Sequence, residues 1–98
     1  MKLEYKGDKL KDGSKTIANF KGDKLRAGTG FTTLCNVKDD KVRKGTGFTT
    51  LCNVKNGDIR DGTGFSKKAK VKDIKKIIRG SDSLADVHIA AIWQMFIR

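Results

Sequence analysis

An eleven-residue phrase, GTGFTTLCNVK, stands at residues 28–38 and again, letter for letter, at residues 45–55. Repetition this faithful restricts the chain to folds that lay one short unit beside its copies, because each copy asks for the same neighbours. The tetrapeptide GTGF opens at Gly28, Gly45 and Gly62, a period of 17, and Asn19, Asn36 and Asn53 keep that period. They draw Thr16-Ile17-Ala18-Asn19-Phe20 into register as an earlier, degenerate copy. Lys6-Gly7-Asp8-Lys9-Leu10 matches Lys21-Gly22-Asp23-Lys24-Leu25 at a spacing of 15, so the first unit is two residues short. Val71-Lys72-Asp73-Ile74-Lys75 reads as the truncated start of a last unit.

Each unit carries two turn signals. The pairs Gly7-Asp8, Gly22-Asp23, Asp39-Asp40 and Asn56-Gly57 suit two-residue hairpin loops with positive φ. The Gly-Thr-Gly triplet lets the backbone reverse or bulge. Between these signals the pattern predicts short strands at 24–27, 41–44 and 58–61 and long strands at 31–38, 48–55 and 65–72. Alternation places Phe31, Thr33, Cys35 and Val37 on one face, and the replacement of Leu34 by Lys68 in the third copy marks the other face as the wet one. Phe31, Phe48 and Phe65 are therefore expected as buried anchors rather than exposed stacking platforms. Leu10, Leu25, Val42, Ile59 and Ile74 form the inward column of the short strands.

Residues 84–97 differ in kind: 11 of the 14 are apolar, and Asp86, His88 and Gln94 scatter round a helical wheel. Ser81-Asp82-Ser83 offers an N-cap, and Ser83 with Asp86 a capping box, so a helix apolar on all sides is expected there. At about 1.5 Å per residue it would be roughly 21 Å long, short of the roughly 30 Å of a bilayer core. It belongs in a core or an interface, and a membrane is an improbable partner. Together the parts predict a mainly β chain: an antiparallel meander of short hairpin repeats, curled or barrel-like, with one apolar C-terminal helix. Residues 1–98 form a single domain, with repeats over 6–80 and the helix in 81–98. The alternative is a β-solenoid with one unit per coil. A meander sets Cys35 and Cys52 two strand steps apart, about 10 Å, too far for the roughly 7 Å Cα separation of a disulfide, whereas a solenoid would stack them.

The units GDKLRAG, DDKVRKG and NGDIRDG, each followed by a hydrophobic strand, resemble the tandem GDKIRxG β repeats of small bacterial proteins that end in an apolar helical tail. That resemblance covers residues 6–80 and implies no function. An apolar helix wrapped by a meander also resembles the tubby and scramblase-like barrel, in architecture alone.

Twenty-two Lys and Arg against 11 Asp and Glu leave a net charge of +11. Residues 21–72 carry +8 of it while residues 80–98 carry −1, so the positive field belongs to the repeats and draws anionic partners. Lys21, Lys38, Lys55 and Lys72 recur at the ends of the long strands, and Arg26, Arg43 and Arg60 recur in the short ones; these seven are the candidate anion-binding residues. Enzymatic chemistry finds no foothold. His88 is the only histidine, expected to be hydrogen-bonded within its helix; Glu4 is the only glutamate; the aspartates sit mostly in turns. Gly13-Ser14-Lys15-Thr16 resembles the end of a phosphate-binding loop but lacks the upstream glycine and the strand-to-helix setting. Two cysteines make neither a disulfide framework nor a zinc site, and Cys35 and Cys52 are expected as core thiols. No cofactor or metal is expected. The first residues, Met1 to Lys6, hold no apolar run, so no secretory signal is expected and the cytoplasm is the expected location. The leading expectation is a non-enzymatic repeat module presenting a basic surface for protein interaction or self-association. Nucleic-acid or other anion binding comes second and lipid-surface binding third.

Overall fold

Left-handed backbone at the turn pairs folds the chain back on itself. The computed structural model describes residues 2–98; Met1 lies outside them. Gly7 and Asp8 (φ 55° and 65°), Gly22 (59°), Asp39 (57°), and Asn56 and Gly57 (53° and 80°) all have positive φ, a region open to glycine and favoured, among other residues, by Asn and Asp. These pairs join β1 (Leu3–Lys6) to β2 (Lys9–Asp12), β3 (Lys15–Lys21) to β4 (Lys24–Ala27), β5 (Thr33–Lys38) to β6 (Lys41–Lys44), and β7 (Thr50–Lys55) to β8 (Asp58–Asp61). Gly13-Ser14 is a further two-residue turn, closing β2 onto β3 through Asp12 and Lys15. The GTGF loops supply the other connections, the last leading into β9 (Lys67–Lys70).

The result is a meander of nine antiparallel strands in chain order, to which β10 (Ile78–Arg79) adds in parallel beside β1, pairing Leu3 with Ile78 and Glu4 with Arg79. Repeats lie side by side in the plane of one sheet rather than stacking as coils, which rules out the solenoid. Nor is the sheet a closed barrel, since β9 and β10 are its two edges. It is curled, however. α1 (Val71–Ile77) runs directly from β9 into β10, and its seven residues reach only about 10 Å. Ten strands laid flat at about 4.8 Å apart would hold those edges roughly 43 Å from each other. The wall therefore bends round until its gap is about one helix wide, and α1 stands in the gap.

α1 corrects the expected last strand. Val71, Ile74 and Ile78, at helical spacing, are 3%, 7% and 1% exposed, Asp73 sits in the first turn, and Lys75 and Lys76 sit in the last, as the helix dipole favours. Ile74 is thus buried from a helix, not from the strand column. The long strands also begin later than the pattern suggests, at Thr33, Thr50 and Lys67, with the phenylalanines left in the loops.

The curled wall encloses the C-terminal segment. α2 (Asp86–Ile92) packs on β5, β6, β7 and α1. Five successive residues, Ile89 to Trp93, are buried, more than one helical turn, so the helix is enclosed on every side. They meet Leu10, Leu25, Cys35, Val42, Cys52 and Ile59, all 0% exposed, in one core. The expected serine caps are absent. Ser81–Ser83 forms a 3-10 turn, α2 starts after Ala85 with no side-chain cap, and the buried Ser81 hydroxyl instead donates to Ile78 O at 2.7 Å, finishing α1. Beyond α2 the chain widens into a π-helical turn, Trp93–Ile97, closed by Arg98 N donating to Trp93 O. The Arg98 side chain stacks over Trp93 and pairs with Asp61 on β8 at 2.7 Å, tying the tail to the wall.

Gly80, at φ 77°, sits so close to β1 that a Cβ would lie 2.5 Å from Tyr5 O. Gly7, at φ 55°, faces open space. Gly7→Ala should lower the unfolding free energy by about 1 kcal/mol, the cost of left-handed backbone alone, and Gly80→Ala by more than twice that through lost β1–β10 pairing. Urea denaturation of the two variants compares them directly.

Candidate functional site

On the outside of the wall every unit repeats one small assembly. Asn19 lies opposite Arg26, Asn36 opposite Arg43, and Asn53 opposite Arg60. Their chain neighbours Ala18, Phe20, Leu25, Cys35, Val37, Val42, Cys52, Val54 and Ile59 are buried, so these side chains point outward. Each asparagine Nδ2 donates to the carbonyl of the first loop glycine (Gly28, Gly45, Gly62) at 2.7 Å and reaches that of the second (Gly30, Gly47, Gly64) at 3.2–3.3 Å. The GTGF loop is thereby folded down against the sheet. The strand that follows is bulged: Leu25 pairs with Cys35 while Arg26 pairs with Thr33, leaving Leu34 as the extra residue, and the same shift recurs in the next two units.

The bulge overturns the expected place of the phenylalanines. Counting in twos back from Cys35 passes through the bulged Leu34 and so assigns Phe31 to the wrong face. Phe31, Phe48 and Phe65 are in fact 84%, 83% and 82% exposed. Each ring lies over the guanidinium of the arginine five residues before it, with Arg26, Arg43 and Arg60 Cζ each 5.5 Å from its ring centroid. Nε of all three arginines is buried without a hydrogen-bond partner. The ring is what holds the guanidinium, and the guanidinium in turn holds the ring. One signal for this was present in the sequence: the Arg-x4-Phe spacing recurs in all three units, with Gly-Thr-Gly constant between the two and only the residue after the arginine changing.

A second row runs parallel to the first. Two residues along the strands from the arginines and asparagines, about 6.6 Å, stand the hairpin-end lysines. Lys6 faces Lys9, Lys21 faces Lys24 and Lys38 faces Lys41, while Lys55 faces Asp58. Like charges directly opposite one another destabilise a sheet, yet three successive hairpins carry them. Among the described residues the ion pairs are Lys67–Asp58, Lys75–Asp86 and Arg98–Asp61, so none of these facing lysines is neutralised by one. Of the seven residues singled out by the repeat, the fold brings six onto one face: Lys21, Lys38 and Lys55 in one row, Arg26, Arg43 and Arg60 in the other. Lys72 does not join them, because it is carried away on α1.

Other groups are placed less suggestively. His88 was expected to be hydrogen-bonded; instead its ring meets the edge of Phe20 at 4.9 Å and its Nδ1 is buried without a partner. With Tyr5, Asp8 and Lys21 it lines a shallow cleft of about 700 Å³. Cys35 and Cys52 are buried and unpaired, and burial pushes both thiols up to about 12, with Cys52 adding to the rise at Cys35. Among the described residues no three of His, Cys, Asp and Glu stand close enough to hold a metal ion. The chain matches no family model, no curated protein and no solved structure.

The thiols carry a pH dependence whose sign is fixed. They stay protonated in the folded chain up to about pH 12 but ionise near 9 once unfolded, so stability is full below pH 9 and falls as pH rises from 9 toward 12. Tyr5, raised by burial and by Asp8, acts in the same direction. The double variant Cys35→Ala, Cys52→Ala should lose less stability than the parent between pH 8 and pH 10.5 in urea unfolding. In the folded parent both thiols should resist a thiol reagent at pH 8 and react fully in denaturant.

Proposed function

We propose that this chain is a non-catalytic cytoplasmic module whose outer face binds nucleic acid. The observation that carries the reading is the lysine row, where three hairpins set like charges face to face without neutralising ion pairs. Asp8, Asp23, Asp39 and Asp40 in the intervening turns offset part of this charge, but a sheet that needed lysine only for solubility could stagger its charges, and a face that sets lysines opposite one another suits an anionic partner. Successive hairpins repeat the row every two strand steps, about 9.6 Å, which suits a polymer of evenly spaced phosphates better than a single small anion.

Self-association, the expectation from repetition alone, fits the surface less well. A second copy would bring another +11 charge, and the edge strand β9, beside α1, reads Lys67-Lys68-Ala69-Lys70, three lysines in four residues, which repel a second positive chain. Among the described residues no helix is long and apolar enough to cross a membrane.

Binding to an oligonucleotide should weaken linearly in log salt, each phosphate contact adding about 0.7 to the slope on a single strand and about 0.9 on a duplex. Changing Lys21, Lys38 and Lys55 to Ser should lower the slope by about two to three and weaken binding alike for every base sequence. Fluorescence titration at four salt concentrations measures both. A parent slope near zero would defeat the reading.

A further inference from the structure

Resting on that reading, we infer that the bound form is a single strand whose unpaired bases stack on Phe31, Phe48 and Phe65. Three rings, each more than four-fifths exposed and at the same place in its unit, are the most exposed large apolar side chains among the described residues. Each is backed by an arginine at 5.5 Å, which leaves the opposite ring face open and already oriented. A base that lands there meets a platform whose ordering entropy is spent at folding rather than at binding. The lysine row stands on the same face, two residues or about 6.6 Å along the strands from the arginines that the rings cover, an arrangement that lets phosphates lie over Lys21, Lys38 and Lys55 while their bases reach the rings. Aromatic platforms beside a basic track are how proteins hold single strands without reading sequence.

Geometry separates this partner from its rivals. A duplex keeps its bases stacked inside and offers no free base face to a ring. Successive rings are two strand steps apart, about 9.6 Å, well beyond the roughly 3.4 Å rise of a stacked strand, so the bound strand is extended, with a bridging nucleotide between occupied rings. A bilayer is ruled against by curvature. The rings span four strand-to-strand steps of a ten-stranded wall that bends round nearly to meet itself, so they face directions more than about 90° apart. A plane touches such a wall along one line; a flexible strand follows it round.

The test is fluorescence anisotropy with four probes at matched salt: oligothymidylate and oligouridylate 12-mers, a DNA duplex of that length, and heparin, a polyanion without bases. The parent should bind both single strands at least tenfold more tightly than the duplex. Each Phe→Leu change should weaken single-strand binding about tenfold while leaving heparin binding unaltered. Phe48→Leu alone, beside the triple variant, keeps the test sound should the triple variant fail to fold by circular dichroism. Single-strand binding that survives Phe48→Leu unchanged overturns the stacking inference yet leaves anion binding standing. Failure of the parent to bind any of the four removes the reading on which it rests. Phe-dependent binding to phosphatidylserine vesicles, or a Phe-dependent dimer by sedimentation, with no oligonucleotide bound, would overturn both in favour of a lipid surface or a second copy.

Discussion

The bidentate reach of three asparagines is the interaction on which the outer architecture depends. Asn19, Asn36 and Asn53 each span from one strand to the two glycine carbonyls of the next loop. Unsatisfied, the partly buried carbonyl of the first glycine would cost about 1–3 kcal/mol in each unit. Satisfied, it holds the first loop glycine at φ 53°, the left-handed region, in all three units. The loop then rejoins the sheet through the bulge at Leu34, Leu51 or Lys68, and that path throws the phenylalanine outward over its arginine. Remove the carboxamide and nothing else in the unit dictates where the ring goes.

The interior answers a different constraint. Nine short hairpin strands bury little on their own, and their inward column is narrow: leucine, valine, isoleucine, cysteine and alanine. A wall this curved leaves a volume that those side chains do not fill, and α2 fills it. Ala90 and Ala91 let the helix axis come close to the strands while Ile89, Ile92 and Trp93 occupy the space on either side. Small residues are also what the wall offers in return, since Ala18, Cys35 and Cys52 share one column. The thiols are thus packing groups, 0% exposed on the helix side of the sheet, and that burial is what raises their pKa.

Much of this was written in the repeat. Strand order, the hairpin turns, the short-strand boundaries and the enclosed helix all follow from spacing, because local turn chemistry and period-two burial agree there. The misreadings cluster where one pattern masked another. Val71-Lys72-Asp73-Ile74-Lys75 looks like a unit start, yet its apolar residues carry helical spacing through to Ile78, and the absence of a following turn pair leaves it free to coil. The phenylalanines were misplaced because a bulge changes the parity of a strand without changing its letters. Ser81 and Ser83 sit where caps belong, but the buried carbonyls at the end of α1 claimed Ser81 first. On the outer face the lysine and arginine columns were legible and their pairing with the phenylalanines was not, since the Arg-x4-Phe spacing repeats with the unit but does not by itself show a contact across the loop.

The parallel pair that β10 makes with β1 has a role in telling the copies apart. Strands β5 and β7 have identical sequences, as do the loops before them, so β6 meets the same letters on either flank and only the short strands and turns, such as Lys55 facing Asp58 where Lys38 faces Lys41, tell a correct hairpin from one slipped by a whole unit. The ends differ more sharply. Leu3 meeting Ile78, with Gly80 tight against Tyr5, fixes where the count begins, and α1 fixes how wide a gap the count must leave. A chain that gained or lost one unit by recombination would keep every local contact and miss at this seam, which makes the seam the fold's measure of its own repeat number.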